Sequence, residues 1–211
     1  VRAVLIGAGG HARAIVEAAR GGALELVACT DPRAELHGTT LDGVPVVGGD
    51  DRLPALREDG VEAAVLALGA VGDNALRALL FDEIEAYGFA LPPVVSPHAA
   101  VARTAALGPG CVVLAMAVVG PGAVLGRNVI VNTGALVEHD CAVGDHAHIA
   151  SGAVLGGGVT VGARAHVGLG ATVRQGQRLE DGCLVAAGAV VVADVAAGTT
   201  VMGCPAREAS A

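Results

Sequence analysis

The chain of 211 residues contains no lysine and no tryptophan, and its only aromatic side chains are Phe81, Phe89 and Tyr87. Without an ε-amine, Schiff-base chemistry and a lysine nucleophile are excluded; all 13 cations are arginines. With so few rings, any core has to be built from aliphatic side chains, which the sequence supplies in plenty. None of the five cysteines belongs to a Cys-x-x-Cys pair, so neither a zinc knuckle nor a dithiol redox motif is present. No apolar run reaches the ~18 residues of a membrane span, and no charged-then-apolar leader opens the chain. A cytoplasmic protein with no membrane partner is therefore expected. The formal net charge of −8 argues against nucleic acid as a partner, although phosphate ligands answer to local charge instead.

What is abundant is a period of six. From Val95 to Val191 every sixth residue is Val, Leu or Ile, and four residues after each stands Ala, Cys or Val, with Gln177 the exception. That period fits neither an α-helix nor a plain strand, and it is the mark of a hexapeptide parallel β-helix. Each hexad supplies one side of a triangular coil, with the branched residue inward and the small one at the corner. Coils then stack about 4.8 Å apart. Cys111, Cys141 and Cys183 occupy the small slot and read as buried spacers. The change in composition divides the chain into residues 1–92, an α/β unit, and residues 93–211, the coil.

In the first unit Val4-Leu5-Ile6 is a buried strand, followed by Gly7-Ala8-Gly9-Gly10-His11-Ala12 and a helix to about Arg20. A second strand, Leu24 to Cys29, ends at Thr30-Asp31-Pro32. A third, Val61 to Leu68, ends in Gly69. A helix from about Asp73, a candidate N-cap, to Tyr87 is expected to bury Leu76, Leu79, Leu80 and Ile84. The GxGxxA turn, with an acid closing strand two, meets the dinucleotide-binding fingerprint. Glycines let the backbone approach phosphate, and a helix N-terminus offers free N–H groups. A dinucleotide such as NAD needs two mononucleotide halves, however, and this unit supplies about one. His11 suits a phosphate or a sugar hydroxyl; the alternative is a helix-start residue exposed to solvent.

Register turns the coil into a map. His148 and His166 are one coil apart and stack. His139 lies one coil from Gly157, so a base faces a position with no side chain and a bare N–H. His139 is flanked by Glu138 and Asp140; strand neighbours point to opposite faces, but a bend at a coil corner lets one acid orient the ring and raise its basicity. A polar ladder on a solvated coil is the plainer reading of His148 and His166. His139, His146 and His148 alternatively suggest a zinc site shared across a trimer, as in β-helical carbonic anhydrases. A non-catalytic β-helix binding module is a further alternative.

The Gly-Ala-Gly-Gly-His-Ala turn, the acid after strand two, the coil stretch Val137-Glu138-His139-Asp140-Cys141 with His148 beyond it, and the closing Gly203-Cys204-Pro205-Ala206-Arg207 resemble the NeuD/PglD sugar acyltransferases. The resemblance spans essentially the whole chain. It implies a left-handed parallel β-helix behind a Rossmann-like nucleotide-sugar-binding unit, and a homotrimer with its active site between subunits. It implies acetyl-CoA as co-substrate, no metal, and a UDP-linked amino sugar as acceptor, acetylated at its 4-amino group; O-acetylation of sialic acid or a related sugar is the nearest alternative. Carried over by position, His139 is the general base and Asp140 the carboxylate after it that orients the ring, with Glu138 beside them. His148, Gly157, His166, Gly203 and Arg207 attend acetyl-CoA. Gly7, Gly9, Gly10, His11, Asp31 and Gly69 hold the sugar nucleotide. Arg164, Arg174, Arg178 and Arg207 are the candidate cations for the coenzyme phosphates.

Overall fold

The computed structural model describes residues 1–70 and 72–209. In the N-terminal unit, five strands form one sheet: β1 (Arg2–Ile6), β2 (Glu25–Thr30), β3 (Thr40–Leu41), β4 (Val44–Gly48) and β5 (Ala63–Leu66). Their order is β3-β4-β2-β1-β5, and all neighbours are parallel except β3 with β4. The interior strand β1, between β2 and β5, is buried from Ala3 to Ile6, as a parallel strand covered on both faces must be. Helix α1 (Gly10–Ala19) buries Ala12, Ile15 and Val16 in a core shared with Val94, Val112 and Leu114 of the coil. The three sequence-read strands are all present. The β3–β4 hairpin and helix α2 (Leu53–Glu58) are additions. The hairpin turns at Asp42-Gly43, both with positive φ (47° and 95°), the pairing that a two-residue hairpin favours.

Helix α3 (Ala75–Ala86) departs from expectation in the face it buries. Its N-cap is Asn74 and not Asp73, whose carboxylate instead accepts the Ala75 N–H at 2.8 Å from one residue further out. The buried residues are Arg77, Phe81 and Ile84, while Leu76 and Leu79 are 59% and 68% exposed and Leu80 is half-buried. The helix lies between β5 and the coil, so its inward face is chosen by the coil surface. The Phe81 ring stands edge-on to His146, with centroids 5.7 Å apart, beneath the Arg127 guanidinium at 4.8 Å. A side chain at Gly110 would run into that ring.

From Val94 to Val191, two-residue strands wrap three sheets of parallel strands into a prism, and the strand Arg207–Glu208 closes one sheet by antiparallel pairing with Thr200–Met202. Strands one coil apart pair in register, for example Val137 with Leu155 and His148 with His166. The aliphatic column and the small-residue column fill one continuous core, including Cys111, Cys141 and Cys183. The first members are open: Val95 is 38% exposed and Val101 and Leu107 are half-buried, since no earlier coil covers them. The N-terminal unit covers one sheet of the prism. Its outward residues Val94, Val112 and Ile130 are buried there, and so are His148 and His166. These two histidines are therefore not a solvated ladder.

Candidate active site

At the corner between the strands Leu136–Val137 and Ala142–Val143, His139 projects into solvent with its side chain 61% exposed. The corner is made by Asp140, whose backbone is left-handed (φ 58°), a conformation that Asp tolerates better than most residues. That bend returns its carboxylate to the ring, and His139 Nδ1 lies 2.8 Å from Asp140 Oδ2. An Nδ1–H donated to the carboxylate leaves Nε2 as the free acceptor. The hydrogen bond to Asp140 raises the imidazole pKa above its ordinary value, with Glu138 adding in the same direction. Glu138 accepts the backbone N–H of His139 at 3.0 Å, so Asp140 orients the ring and Glu138 holds the main chain.

Gly157 lies directly against the imidazole. A Cβ built there would be 2.5 Å from His139 Nε2. At two other turns the corresponding N–H, of Arg127 and of Ala163, donates to an aspartate one coil on. Gly157 has Gln175 in that place, and among the described residues nothing accepts its N–H. Cys141, the nearest thiol in sequence, is buried and bonded to the Gly156 carbonyl, with its pKa raised by burial, so it is no nucleophile.

A second group of sequence-read residues meets elsewhere. Gly7, Gly9, Gly10, His11, Asp31 and Gly69 all line one cavity of about 560 Å³ at the C-terminal edge of the sheet. Gly7 (φ 99°) turns the chain off β1, and no side chain caps α1 at Gly9, so its first N–H groups are unclaimed by any cap. His11 is not the solvent-facing residue of the alternative reading. Its ring packs against Gly69, its Nε2 is buried without a partner, and burial, then the charge of Arg77, lowers its pKa to about 4. Asp31 is buried and salt-bridged to Arg33. The side chain of Arg77, buried on α3, donates to the Leu66 and Leu68 carbonyls at this cavity's floor.

The loop after β5 joins this cavity to the coil. His148 Nδ1 donates to the Ala70 carbonyl at 2.9 Å, which leaves Nε2 to accept from Asn132 Nδ2 at 3.1 Å. His166 stands edge-on, with ring centroids 4.9 Å apart. Burial, then the neighbouring His166, lowers the His148 pKa to about 3, so the ring is neutral. Both rings line a cavity of about 390 Å³ with Ala70, Leu169 and Leu184. The zinc reading meets an obstacle inside the chain, because both ring nitrogens of His148 are already engaged, by Ala70 and Asn132. His139, His146 and His148 each face a different partner (Asp140, Asn128 and Ala70), and no three potential ligands converge among the described residues. Arg207 lines a separate cavity at the far end of the coil, beside the antiparallel return of the chain, and Gly203 turns there with φ 94°.

Asn74, Asn132, Arg33, Asp50 and Arg77 carry no sequence motif. Asn74 is fully buried and clamps α3 to the coil through the Arg164 and Ala165 carbonyls. For Asn132 a signal existed: it precedes a corner two residues after Ile130, on the sheet that carries His148.

A hexapeptide prism with a carboxylate-bound histidine at a corner defines a class, the hexapeptide-repeat acyltransferases. Residues 2–84 match the PglD N-terminal domain, and residues 122–157 match six repeats of the bacterial transferase hexapeptide. No curated protein sequence matches the chain. Among solved structures, it is similar to a histidine-to-asparagine variant of perosamine N-acetyltransferase from Caulobacter crescentus, in complex with CoA and GDP-perosamine. The two share 37% identity over 100% of this chain and 98% of that one, with a TM-score of 0.92. The acetyltransferase domain of PglB from Neisseria gonorrhoeae, in complex with acetyl coenzyme A, is also 37% identical over 99% of this chain and 98% of its own (TM-score 0.90). WeeI from Acinetobacter baumannii is 26% identical over 99% of this chain and all of its own (TM-score 0.82). The chain belongs to the PglD-type sugar acyltransferases of the hexapeptide-repeat superfamily, and its prism is their left-handed parallel β-helix.

Proposed function

We propose that the protein transfers the acetyl group of acetyl-CoA to the amino group of an amino sugar carried on a nucleoside diphosphate. The observation that carries this is the corner at His139, where Asp140 fixes Nδ1 and Nε2 lies against Gly157, whose N–H has no acceptor among the described residues. In this mechanism the amine attacks the thioester directly. His139 Nε2 takes the amine proton, a contribution typically worth 10²–10⁴ in rate. The Gly157 N–H receives the oxyanion of the tetrahedral intermediate, commonly about 3 kcal/mol of transition-state stabilisation. The intermediate then collapses with cleavage of the C–S bond. The departing CoA thiolate takes the proton held by His139, leaving free CoA, the amide and a neutral imidazole. Asp140 keeps Nε2 basic and stabilises the imidazolium as it forms.

The acetyl-CoA side takes His148, His166, Gly157, Gly203 and Arg207; the cavity beside His148 and His166 is largely apolar and suits a pantetheine arm. His139 lines neither this cavity nor the one at the Gly-rich turn. Completion of the site between copies in a homotrimer accounts for that separation. The exposed coil residues Met116, Val118 and Val124 offer apolar surface for it.

The diphosphate is assigned to the Gly7–His11 turn, and the acceptor nitrogen to the 4-amino group of a UDP-linked sugar. A GDP-linked sugar is the second reading, favoured by the GDP-perosamine bound in the C. crescentus relative. The test is incubation with acetyl-CoA and UDP- or GDP-linked 4-amino sugars, or free sialic acid. Release of free CoA together with an amide product from a nucleotide sugar supports the proposal. O-acetylated sialic acid as the only product overturns it.

A further inference from the structure

In a β-α-β nucleotide site, the acid closing strand two holds a ribose hydroxyl. Here that residue is Asp31, and its carboxylate has no capacity left. Oδ2 accepts the Ala8 N–H at 2.8 Å and Arg33 Nη2 at 3.0 Å; Oδ1 accepts the Arg33 N–H at 3.0 Å and Arg33 Nε at 2.8 Å. Four donors fill the usual lone-pair sites of an ionised carboxylate. Asp31 thus ties the Gly-rich turn to Arg33 and leaves the ligand to other groups.

The neighbouring strand supplies one. Asp50 follows β4, which lies beside β2 in the sheet, and it lines the same cavity. The fully buried Thr30 hydroxyl donates to Asp50 Oδ1 at 2.6 Å, which fixes the carboxylate. No donor among the described residues takes Oδ2. Arg33 also lines the cavity, its Nε and Nη2 held by Asp31 and its Nη1 unengaged. The sheet order places both residues on the β2–β4 side of the Gly-rich turn, while β5 and the loop that reaches His148 lie on the opposite side. A nucleoside on the first side leaves the sugar on the second, towards the coil.

We infer that Asp50, with Arg33 beside it, replaces Asp31 as the reader of the ribose, its free oxygen accepting the 2′-hydroxyl, so that the protein selects ribonucleotide sugars over 2′-deoxyribonucleotide sugars. This rests on the nucleotide-sugar reading above. Asp31 then has a positioning role, through Ala8 and Arg33, with no preference for ribose of its own.

Calorimetric titration of the intact protein with UDP, 2′-deoxy-UDP, GDP and 2′-deoxy-GDP tests it. For whichever base binds, the ribonucleotide should bind about tenfold more tightly, the value of one hydrogen bond to a charged acceptor. Asp50→Ala should weaken the ribonucleotide alone and bring the ratio near one. Asp50→Asn, which keeps a partner for Thr30, should lower the ratio part of the way. Asp31→Asn should weaken both nucleotides and preserve the ratio. A wild-type ratio near one, or a ratio that survives in both Asp50 variants and disappears in Asp31→Asn, overturns the inference while leaving the nucleotide site intact. If none of the four ligands binds, the nucleotide reading itself fails and the inference falls with it.

Discussion

Three atoms at one corner carry the proposed chemistry: His139 Nε2, Asp140 Oδ2 and the Gly157 amide nitrogen. Because a base must be neutral to act, the rate falls as pH drops through the His139 pKa, which Asp140 holds above the ordinary imidazole value. Asp140→Asn keeps the left-handed backbone, since Asn tolerates it, but removes the charge. It should move the acid limb of the kcat profile to lower pH and reduce kcat about tenfold; an unmoved limb would show that Asp140 does not tune the base. Gly157→Ala is a steric probe. Gly157 is not among the positive-φ glycines, so the backbone accepts alanine, but its Cβ meets Nε2 at 2.5 Å and the ring has to shift. A displacement of this kind costs on the order of 10²-fold in kcat, with melting temperature unchanged. The facing of His139 and Gly157 was legible because the hexad fixes what lies one coil away. Which acid holds the ring came from the family resemblance, which pointed to Asp140, and not from the coil pattern: strand alternation turns both Glu138 and Asp140 aside, and only the left-handed corner at Asp140 decides. Arg77 was illegible for a different reason. Its burial follows from the carbonyls of Leu66 and Leu68 above it, a tertiary fact that no helical pattern contains.

Among the elements, α3 shows how packing overrides pattern. Its leucines suggest one face, and the coil selects another, so Phe81 is fully buried and Leu79 is not. Phe81→Ala should cost about 3–5 kcal/mol in urea unfolding, whereas Leu79→Ala should stay within about 0.5 kcal/mol. The reverse order would mean that α3 sits differently on the prism. Leu76 and Leu80 have a further use, as apolar lining of the cavity at the Gly-rich turn. The β3–β4 hairpin, by contrast, could have been read from Leu41-Asp42-Gly43-Val44, where an Asp-Gly pair sits between apolar residues. The coil strands were fully legible because each is too short to pair anywhere except with its own repeat.

On the scale of the molecule, the seam between the N-terminal unit and the coil is lined with neutral histidines. Burial holds His148 down at about 3 and His11 at about 4, and His146 and His166 are lowered in the same way. Between these values and the ordinary 6.5 the unfolded chain binds protons that the folded chain does not. Stability therefore rises with pH across that window and is lost as pH falls below about 6.5. His139 acts in the opposite sense, but its side chain is largely exposed and solvent screens its contribution. The melting temperature should thus begin to drop between pH 6.5 and 4, ahead of the Asp31 ion pair, whose lowered pKa defers its loss to stronger acid. His148→Asn should flatten that slope; a flat wild-type profile over the window would contradict the buried, neutral seam.

The account's central claim is direct acyl transfer by an exposed imidazole, and single-turnover transfer of labelled acetyl from acetyl-CoA to a nucleotide-linked 4-amino sugar tests it most directly. Wild-type protein should form the amide with no acetyl retained on the chain, and His139→Ala should slow the step by at least about 100-fold while binding acetyl-CoA as before. Label fixed covalently to the protein, or a His139→Ala variant that transfers at the wild-type rate, would contradict it.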